Sequence, residues 1–302
     1  MAKDITIVGL GEALFDVLPG GRVLGGAPLN VACHVHQLIA PRGGRGIVAS
    51  RVGMDALGEE VGAELACRGM TVDHLQRDEH HATSTVDVHL EAGQPTYTFA
   101  ADIAWDHLEF TREWAGLASQ CTAVCYGTLA QRTAQSRAVI WQFLDAATEA
   151  LRLFDVNLRQ GFYDQESIAE GCRRASIVKL NEEELPVAAN LLSLPAGPPV
   201  FQLAQLRARY DLQAVVYTRG KRGTMLVLED KVVAPPAVSY PASPNADSVG
   251  AGDACAAGIL IGWTGGMPPA RIAELANHLG AFVASQAGAT PQLPQALIEM
   301  AG

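Results

Sequence analysis

The chain lacks the surplus of basic residues that binding to nucleic acid requires. It has 22 Lys and Arg against 32 Asp and Glu in 302 residues, a formal net charge of −10. A nucleic-acid interface needs a basic stripe or patch, and no such stripe occurs, so we expect no nucleic-acid partner. No apolar run approaches the ~20 residues that span a bilayer, and Met1-Ala2-Lys3-Asp4 leads into a strand-like run rather than a signal sequence. We therefore expect a soluble, cytoplasmic protein with no membrane partner.

Metal-finger spacing is also absent from the cysteines. Cys121 and Cys125 are four residues apart, without a second pair or nearby histidines to complete a zinc site. Most of the six cysteines lie in apolar runs, which predicts free, buried thiols. The stretch Asp78-Glu79-His80-His81 combines acids with histidines. Because these residues are adjacent and have no helical or strand spacing, we interpret the stretch as a solvated loop.

The common glycine-rich nucleotide motifs are incomplete. No Gly-x-x-x-x-Gly-Lys-[Ser/Thr] sequence occurs, which excludes a P-loop. Gly9-x-Gly11 follows a strand-like run, but the third glycine of a dinucleotide fingerprint would fall at Leu14, and no helix begins before Pro19. The sequence therefore does not support an NAD-dependent enzyme.

Strand-like and helix-like runs alternate along most of the chain. This rhythm predicts an α/β fold with a mostly parallel central sheet covered on both faces, and 49% hydrophobic residues suffice for a large core. One predicted helix runs from about 134 to 151. Between Thr83 and Phe99 the apolar pattern changes to period two, which predicts a β-hairpin inserted into a single domain and able to cover the cleft as a lid. Because the stretch between Asp16 and Gly25 is short, we expect this hairpin alone to form the lid.

The most informative stretch runs from Ala246 to Gly258. A polar loop leads into Gly250, Ala251 and Gly252, and an apolar helical run follows. Backbone amides at such a helix start bind anions, above all phosphate. An adjacent carboxylate, Asp253, would repel that anion unless it acts as a base toward a nucleophile that attacks a phosphoryl group. The alternative is an ordinary helix start in which Asp253 only complements the helix dipole.

Polar residues also follow several predicted strands. Asp16 is predicted in a turn just past the first strand, and Asn30 in the first turn of the helix that begins after Gly26. Turns at the carboxyl ends of parallel strands share one rim of the sheet. We therefore expect a group of polar and glycine positions to converge there: Asp16, Asn30, Asn157, Asn181, Glu184, Thr218, Gly220 and Asp253.

Taken together, these motifs resemble the ribokinase-like (PfkB-type) carbohydrate kinases. The matching stretches occur in the family's order: Gly25-Gly26-x-x-x-Asn30, Asn181-x-x-Glu184, Thr218-x-Gly220-x-x-Gly223 and Asp247 to Asp253. Three further stretches resemble the fructokinase branch of the family most: Gly11 to Asp16, Asp155 to Arg159 and Gly288 to Pro291. The resemblance implies a three-layer α/β/α core with a small β lid.

The resemblance also implies roles for individual residues. Asp253 would deprotonate a sugar hydroxyl, and the amides of Gly250, Ala251 and Gly252 would form an anion hole. Four positions would join Asp253 in holding the sugar: Asp16, Gly26, Asn30 and Arg159. Phosphates and nucleotide would contact Asn181, Glu184, Thr218, Gly220, Gly223, Gly252 and Asn277, with Glu184 also holding Mg²⁺ through water. A monovalent cation, K⁺ in many members, would lie beside Asp247, Val249, Val283 and Gly288.

The implied activity is that of an ATP-dependent sugar kinase, with conversion of fructose to fructose 6-phosphate as the first hypothesis. Ribose, 2-keto-3-deoxygluconate and nucleosides remain alternative substrates, because residues that contact hydroxyl groups look alike in sequence. A non-catalytic sugar- or nucleotide-binding regulator is the alternative from another class. The presence of Asp253 argues against it, since binding alone needs no base. A homodimer formed through the lid is a further expectation from the resemblance.

Overall fold

The computed structural model describes residues 5–18, 21–91 and 94–302. A nine-stranded sheet forms its centre, and six parallel pairings join seven of its strands, as predicted. Its strands are β1 (Thr6–Leu10), β4 (Arg45–Gly53), β5 (Leu75–Asp78), β8 (Ala123–Tyr126), β9 (Leu151–Asp155), β10 (Ile177–Asn181), β11 (Ala214–Thr218), β12 (Thr224–Val227) and β13 (Val232–Val233). The spatial order is β13-β12-β11-β10-β9-β8-β1-β4-β5, with β12 and β13 antiparallel at one edge.

Helices cover both faces of this sheet. The helices are α1 (Ala27–Ile39), α2 (Ala56–Cys67), α3 (Arg112–Gln120), α4 (Ala134–Ala146), α5 (Gln165–Arg174), α6 (Glu184–Leu191), α7 (Pro199–Arg209), α8 (Ala251–Thr264), α9 (Pro269–Val283) and α10 (Gln295–Met300). Successive strand residues point to opposite faces. Val8 accordingly packs in the cluster that buries Phe143 of α4, whereas Ile7 packs in the cluster that buries Ile259 of α8. The result is a three-layer α/β/α core.

Helix α1 packs directly against β1, and this contact explains the first glycine of the incomplete nucleotide motif. A Cβ atom at Gly9 would stand 1.9 Å from the carbonyl oxygen of Pro28. The position therefore has to be glycine for packing, independently of any nucleotide. Because the helix begins beside the end of β1, the close contact also brings Asn30 to the carboxyl edge of the sheet.

A second, smaller sheet contains the predicted hairpin and two strands that the sequence did not predict. It consists of β2 (Leu14–Leu18), β3 (Gly21–Gly25), β6 (Ser84–Glu91) and β7 (Gln94–Phe99), in the order β3-β2-β6-β7. The expectation that one hairpin forms this layer alone is wrong, because the segment from Asp16 to Gly25 pairs back on itself and against β6. A few residues suffice for an antiparallel pair, so the segment's shortness was misleading.

Three further details differ from expectation. Helix α4 ends at Ala146 rather than near 151, because Leu151 already pairs with Ala123 in the central sheet. Cys67 is exposed, whereas the other five cysteines are buried and free as predicted. Asp78 is only 1% exposed and ends β5, so the stretch that it opens is not simply a solvated loop. Across the described ranges, the search for a helix with the length and apolar character of a membrane span finds none.

Candidate active site

Asp253 and Asn30 meet between two helix starts. Asp253 lies in the first turn of α8 and Asn30 in the first turn of α1. Both are buried, and Asn30 Nδ2 donates a hydrogen bond of 2.8 Å to Asp253 Oδ2. The other amide atom, Asn30 Oδ1, is buried without a partner among the described residues. The pair therefore leaves one carboxylate oxygen and one amide oxygen for a polar ligand.

The surroundings of Asp253 make it a stronger base than an exposed aspartate. Burial raises its pKa from 3.8 to about 6, and the negative charge of Asp155 acts in the same direction. The Asn30 hydrogen bond and the positive charges of Lys179 and Arg159 oppose this rise. A carboxylate with such a pKa is still ionised at neutral pH but accepts a proton more readily, as general-base catalysis requires.

The start of α8 presents free backbone amides beside this carboxylate. Gly250 precedes the helix with φ 76°, and a Cβ atom there would stand 2.2 Å from the carbonyl oxygen of Ala289. The amide of Ala251 donates to Ser248 O at 3.3 Å, whereas the amides of Gly250, Gly252 and Asp253 meet no backbone acceptor in the described chain. Free amides with a helix dipole behind them are groups that can bind an anion, and the predicted anion hole at this position stays a prediction.

A buried ion pair lies beneath this helix start, and sequence reasoning missed it. Lys179 Nζ in β10 is 2.7 Å from Asp155 Oδ2 at the end of β9, and both side chains are at most 7% exposed. Lys179 Nζ is also 3.5 Å from the position that a Cβ atom at Gly252 would occupy. Burial acts to lower the pKa of Lys179, but the Asp155 carboxylate outweighs it and keeps the lysine charged. A lysine inside an otherwise apolar strand was the available signal.

Glu12 is the second buried acid that sequence reasoning missed. It follows β1, and its Oε1 accepts a hydrogen bond of 3.2 Å from the amide of Ala27, whereas Oε2 has no partner among the described residues. Burial raises the pKa of Glu12 to about 7. At Gly26, with φ 109°, a Cβ atom would stand 2.4 Å from Glu12 O, so only glycine fits between this residue and α1.

Asp16 and Arg159 lie on the outer side of the same group. Asp16 is a half-buried residue inside β2, and its predicted placement in a turn is wrong because the small sheet begins at Leu14. Burial raises the pKa of Asp16, as it does for Glu12 and Asp253, and the positive charge of Arg159 opposes the rise in all three. The three carboxyl groups are therefore all close enough to the exposed Arg159 to be influenced by its charge. Contact of Asp16, Gly26 or Arg159 with a sugar stays a prediction.

Asn181 and Glu184 form a compact link between β10 and α6. Glu184 Oε1 accepts from the amide of Leu158 at 3.1 Å, and Oε2 accepts from the amide of Asn181 at 2.8 Å. Asn181 Oδ1 in turn accepts from the amides of Glu183 and Glu184. Burial raises the pKa of Glu184, with a further contribution from Asp155. Because backbone amides hold both of its oxygens, contact with a metal ion through water suits this carboxylate better than direct ligation.

The predicted nucleotide positions lie in the turn between β11 and β12. Thr218 ends β11 opposite Thr224, and Gly220 and Gly223 have φ angles of 52° and 75° in the turn. Asn277 of α9 supports the turn, because its Oδ1 accepts from the Thr224 amide at 2.7 Å and its Nδ2 donates to Pro236 O at 3.2 Å. Its direct contact with adenine or ribose stays a prediction.

The predicted monovalent-cation positions join the loop before α8 to the loop after α9. Asp247 accepts hydrogen bonds from the amides of Val249 (3.0 Å) and Gly288 (3.1 Å). Val283 is the last residue of α9, and its carbonyl oxygen accepts from the Gln286 amide. Asp247 thus joins the two loops. Its carboxylate and the backbone carbonyl groups of the loops offer oxygen atoms, the donor type that hard cations prefer.

Comparison with known proteins supplies the family. The model described as "pfkB family carbohydrate kinase" matches residues 19–296. A fructokinase of Salmonella typhimurium is 32% identical, with 94% of this chain and 95% of the relative covered.

Two solved structures are similar in fold. A fructokinase with bound ATP from Xylella fastidiosa matches with a TM-score of 0.82 at 23% identity, with 98% of this chain and 97% of the other covered. A double-mutant fructokinase from Vibrio cholerae, bound to fructose, ADP and potassium ion, matches with a TM-score of 0.80 at 24% identity, with 98% and 97% covered. With its ribokinase-like fold, the chain is a sugar kinase that belongs to the pfkB family of carbohydrate kinases.

Proposed function

We propose that this kinase transfers the γ-phosphoryl group of ATP to the 6-hydroxymethyl group of fructose in the cytoplasm. The observation that carries the proposal is the buried pair of Asn30 and Asp253 beside the free amides at the start of α8. Fructose is the first candidate because the Salmonella typhimurium relative, 32% identical along nearly the whole chain, is a fructokinase.

Asp253 is the proposed general base. Its Oδ2 is held by Asn30, so Oδ1 can accept the proton of the attacking hydroxyl group. As the hydroxyl oxygen bonds to the γ-phosphorus, its proton passes to Asp253 and the bond from that phosphorus to the bridging oxygen of ADP breaks. The unpaired Asn30 Oδ1 can accept a hydrogen bond from a second sugar hydroxyl. Glu12, Asp16 and Arg159 supply further polar groups on the same side.

The positive groups around Gly252 would stabilise the charge that develops on the transferred phosphoryl group. The amides of Gly250, Gly252 and Asp253 can donate to its oxygens, and the ammonium group of Lys179 lies behind them. In phosphoryl transfer, positioning and charge stabilisation account for most of the catalysis.

Two ions complete the proposal. A divalent ion, Mg²⁺ in our proposal, would neutralise phosphate oxygens when bound, with Glu184 as its water-mediated contact. Asp247, Val249, Val283 and Gly288 would place K⁺ beside the anion hole. The turn from Thr218 to Gly223 would hold the nucleotide, with Asn277 behind it.

The test is ADP release by the purified chain with ATP, Mg²⁺ and K⁺. Fructose, ribose, 2-keto-3-deoxygluconate and a nucleoside are supplied separately, and a reaction without acceptor corrects for ATP hydrolysis. We expect the highest kcat/KM with fructose. A higher kcat/KM with another acceptor would make that acceptor the substrate in place of fructose, and the assignment as a kinase would stand. Tight binding of a sugar with no ADP release from any acceptor would instead favour the non-catalytic regulator.

The small sheet is proposed to be the lid over the sugar, because its strand β2 carries Asp16. Its edge strand β3 has an exposed apolar residue, Val23. The same outer strand could pair two chains into a homodimer. Sedimentation of the purified protein at micromolar concentration would test the dimer, and a single monomer species would argue against it.

A further inference from the structure

Three side chains with metal-binding atoms meet where the small sheet joins the central one. His81 lies on the segment that enters hairpin β6–β7, and Asp102 and His107 lie on the segment that leaves it. The sequence alone suggested a solvated loop at His81, because its partners come from more than twenty residues further along the chain. None of the three belongs to the proposed sugar or nucleotide site.

The three ligand atoms are close together. Asp102 Oδ1 is 2.8 Å from His107 Nε2 and 3.6 Å from His81 Nε2. The two imidazole rings stack with centroids 3.5 Å apart, and all three groups offer atoms within 4.8 Å of one another. Zinc bonds to nitrogen and oxygen are about 2.0–2.2 Å long, so tetrahedral ligands are roughly 3.3 Å apart. The distances are therefore close to those between ligands of one ion. The ring planes differ by only 14°, so the two imidazoles would have to rotate apart for both nitrogen lone pairs to point at the ion.

A buried carboxylate fixes the orientation of His81. Asp78 Oδ1 is 3.0 Å from His81 Nδ1, and Asp78 Oδ2 is 2.7 Å from Arg51 Nε. The backbone amides of His80 and His81 also donate to Asp78 Oδ1, at 2.8 and 2.9 Å. Asp78 therefore holds the His81 ring in place through Nδ1 and leaves Nε2 on the side of Asp102. Metal-binding histidines are commonly oriented by such a carboxylate.

This orientation turns Nε2 of His81 toward Asp102. The two atoms are 3.6 Å apart, which is too far for a direct hydrogen bond. The separation is close to that of two ligands of one tetrahedral metal ion. His107 adds a second imidazole on the same side.

We propose that His81, Asp102 and His107 form a site for a divalent transition-metal ion of the zinc class, with water completing the coordination. Two imidazoles and one carboxylate are a donor set that suits zinc, whereas magnesium and calcium prefer oxygen ligands alone. The ion would join the segments that enter and leave the hairpin, and so would restrict the small sheet relative to the central sheet.

The experiment uses the full chain, treated with a chelator and then titrated with ZnCl₂ by calorimetry. We expect one tight site per chain, weakened at least tenfold in His107→Ala and in Asp102→Asn. His80→Ala is the matched control, because this exposed neighbouring histidine contributes no atom to the cluster. Zinc should raise the Tm of the unaltered chain and of His80→Ala but not that of His107→Ala.

Co²⁺ in place of zinc identifies the ligands. Tetrahedral or five-coordinate Co²⁺ bound by nitrogen and oxygen gives visible absorption without the intense near-ultraviolet band of thiolate ligation. We expect this spectrum in the unaltered chain and its loss in His107→Ala. Absence of binding, equal binding by His107→Ala and His80→Ala, or a thiolate band from cysteine ligation would each overturn the proposal.

Discussion

The sugar side and the nucleotide side of the proposed site are built differently. Asn30, Asp155, Lys179 and Asp253 are buried. A hydrogen bond joins Asn30 to Asp253, and an ion pair joins Lys179 to Asp155. The turn from Thr218 to Gly223 and the loop around Val249 are largely exposed and consist mainly of backbone and glycine. Proton transfer needs a carboxylate of fixed position and tuned pKa, whereas phosphates can be held by backbone amides. Substitutions on the buried side should therefore have the larger effects.

The largest effect is expected for Asp253→Asn. The variant keeps the hydrogen-bonding partner of Asn30 but removes the base, so kcat should fall about 10²–10⁴-fold, the range usual for a general base. Steady-state ADP release measures kcat, and calorimetry with fructose checks that the sugar still binds. Asp230→Asn, at an exposed turn, is the control and should retain full activity. An Asp253→Asn variant with more than a tenth of the normal kcat would show that another group takes the proton.

Lys179→Met tests whether the ion pair supports Asp253. Removal of one partner leaves Asp155 charged and buried, which should lower the free energy of unfolding by about 3–5 kcal/mol. Since Lys179 lowers the pKa of Asp253 and Asp155 raises it, the acid limb of kcat/KM should move to higher pH. Urea unfolding and a pH–rate profile measure the two effects.

The double variant Asp155→Asn/Lys179→Met provides the control for this interpretation. With neither charge present, stability should largely return and the acid limb should move back toward lower pH. Equal acid limbs in the single and double variants would show that the pair acts on folding alone, without influence on the base.

The same contrast between buried and exposed groups explains what the sequence could predict. The stretch from Gly250 to Asp253 and the residue Asn30 could be predicted from the sequence, because the start of a helix requires particular residue types at particular spacings. Glu12 and the pair of Asp155 and Lys179 were not, because their role depends on burial and on neighbours far away in sequence. The parallel sheet followed from alternating patterns, but strands β2 and β3 did not, since ten residues carry too little periodicity to distinguish a loop from a paired ribbon.

Gly250→Ala tests how tightly the anion-binding turn is packed. Alanine at φ 76° costs about 1–2 kcal/mol for its backbone conformation. Its Cβ would also stand 2.2 Å from Ala289 O, and such overpacking typically costs a further ~1–3 kcal/mol. Gly266→Ala is the matched control, since it has φ 69° but no heavy atom within 4 Å of its Cβ position. Urea unfolding should show a larger loss in the free energy of unfolding for Gly250→Ala than for Gly266→Ala. Equal losses would mean that the loop containing Ala289 moves away from the new methyl group at little cost.

Glu12→Gln should give the smallest effect and the opposite sign. Burial raises the pKa of Glu12 from 4.5 to about 7. Between these two pH values Glu12 therefore keeps its proton in the folded chain but loses it in the unfolded chain. The stability contributed by Glu12 is therefore complete below pH 4.5 and is lost as the pH rises through 7. Glutamine preserves the acceptor for the Ala27 amide without titrating, so the variant should be more stable than the unaltered chain at pH 8, by at most ~3 kcal/mol, and nearly equal to it at pH 4.5. Urea unfolding at both pH values measures the difference, with the exposed Glu229→Gln as control. Lower stability of Glu12→Gln at pH 8 would mean that the ionised carboxylate has a favourable partner, and the sugar side would then be less desolvated than its burial indicates.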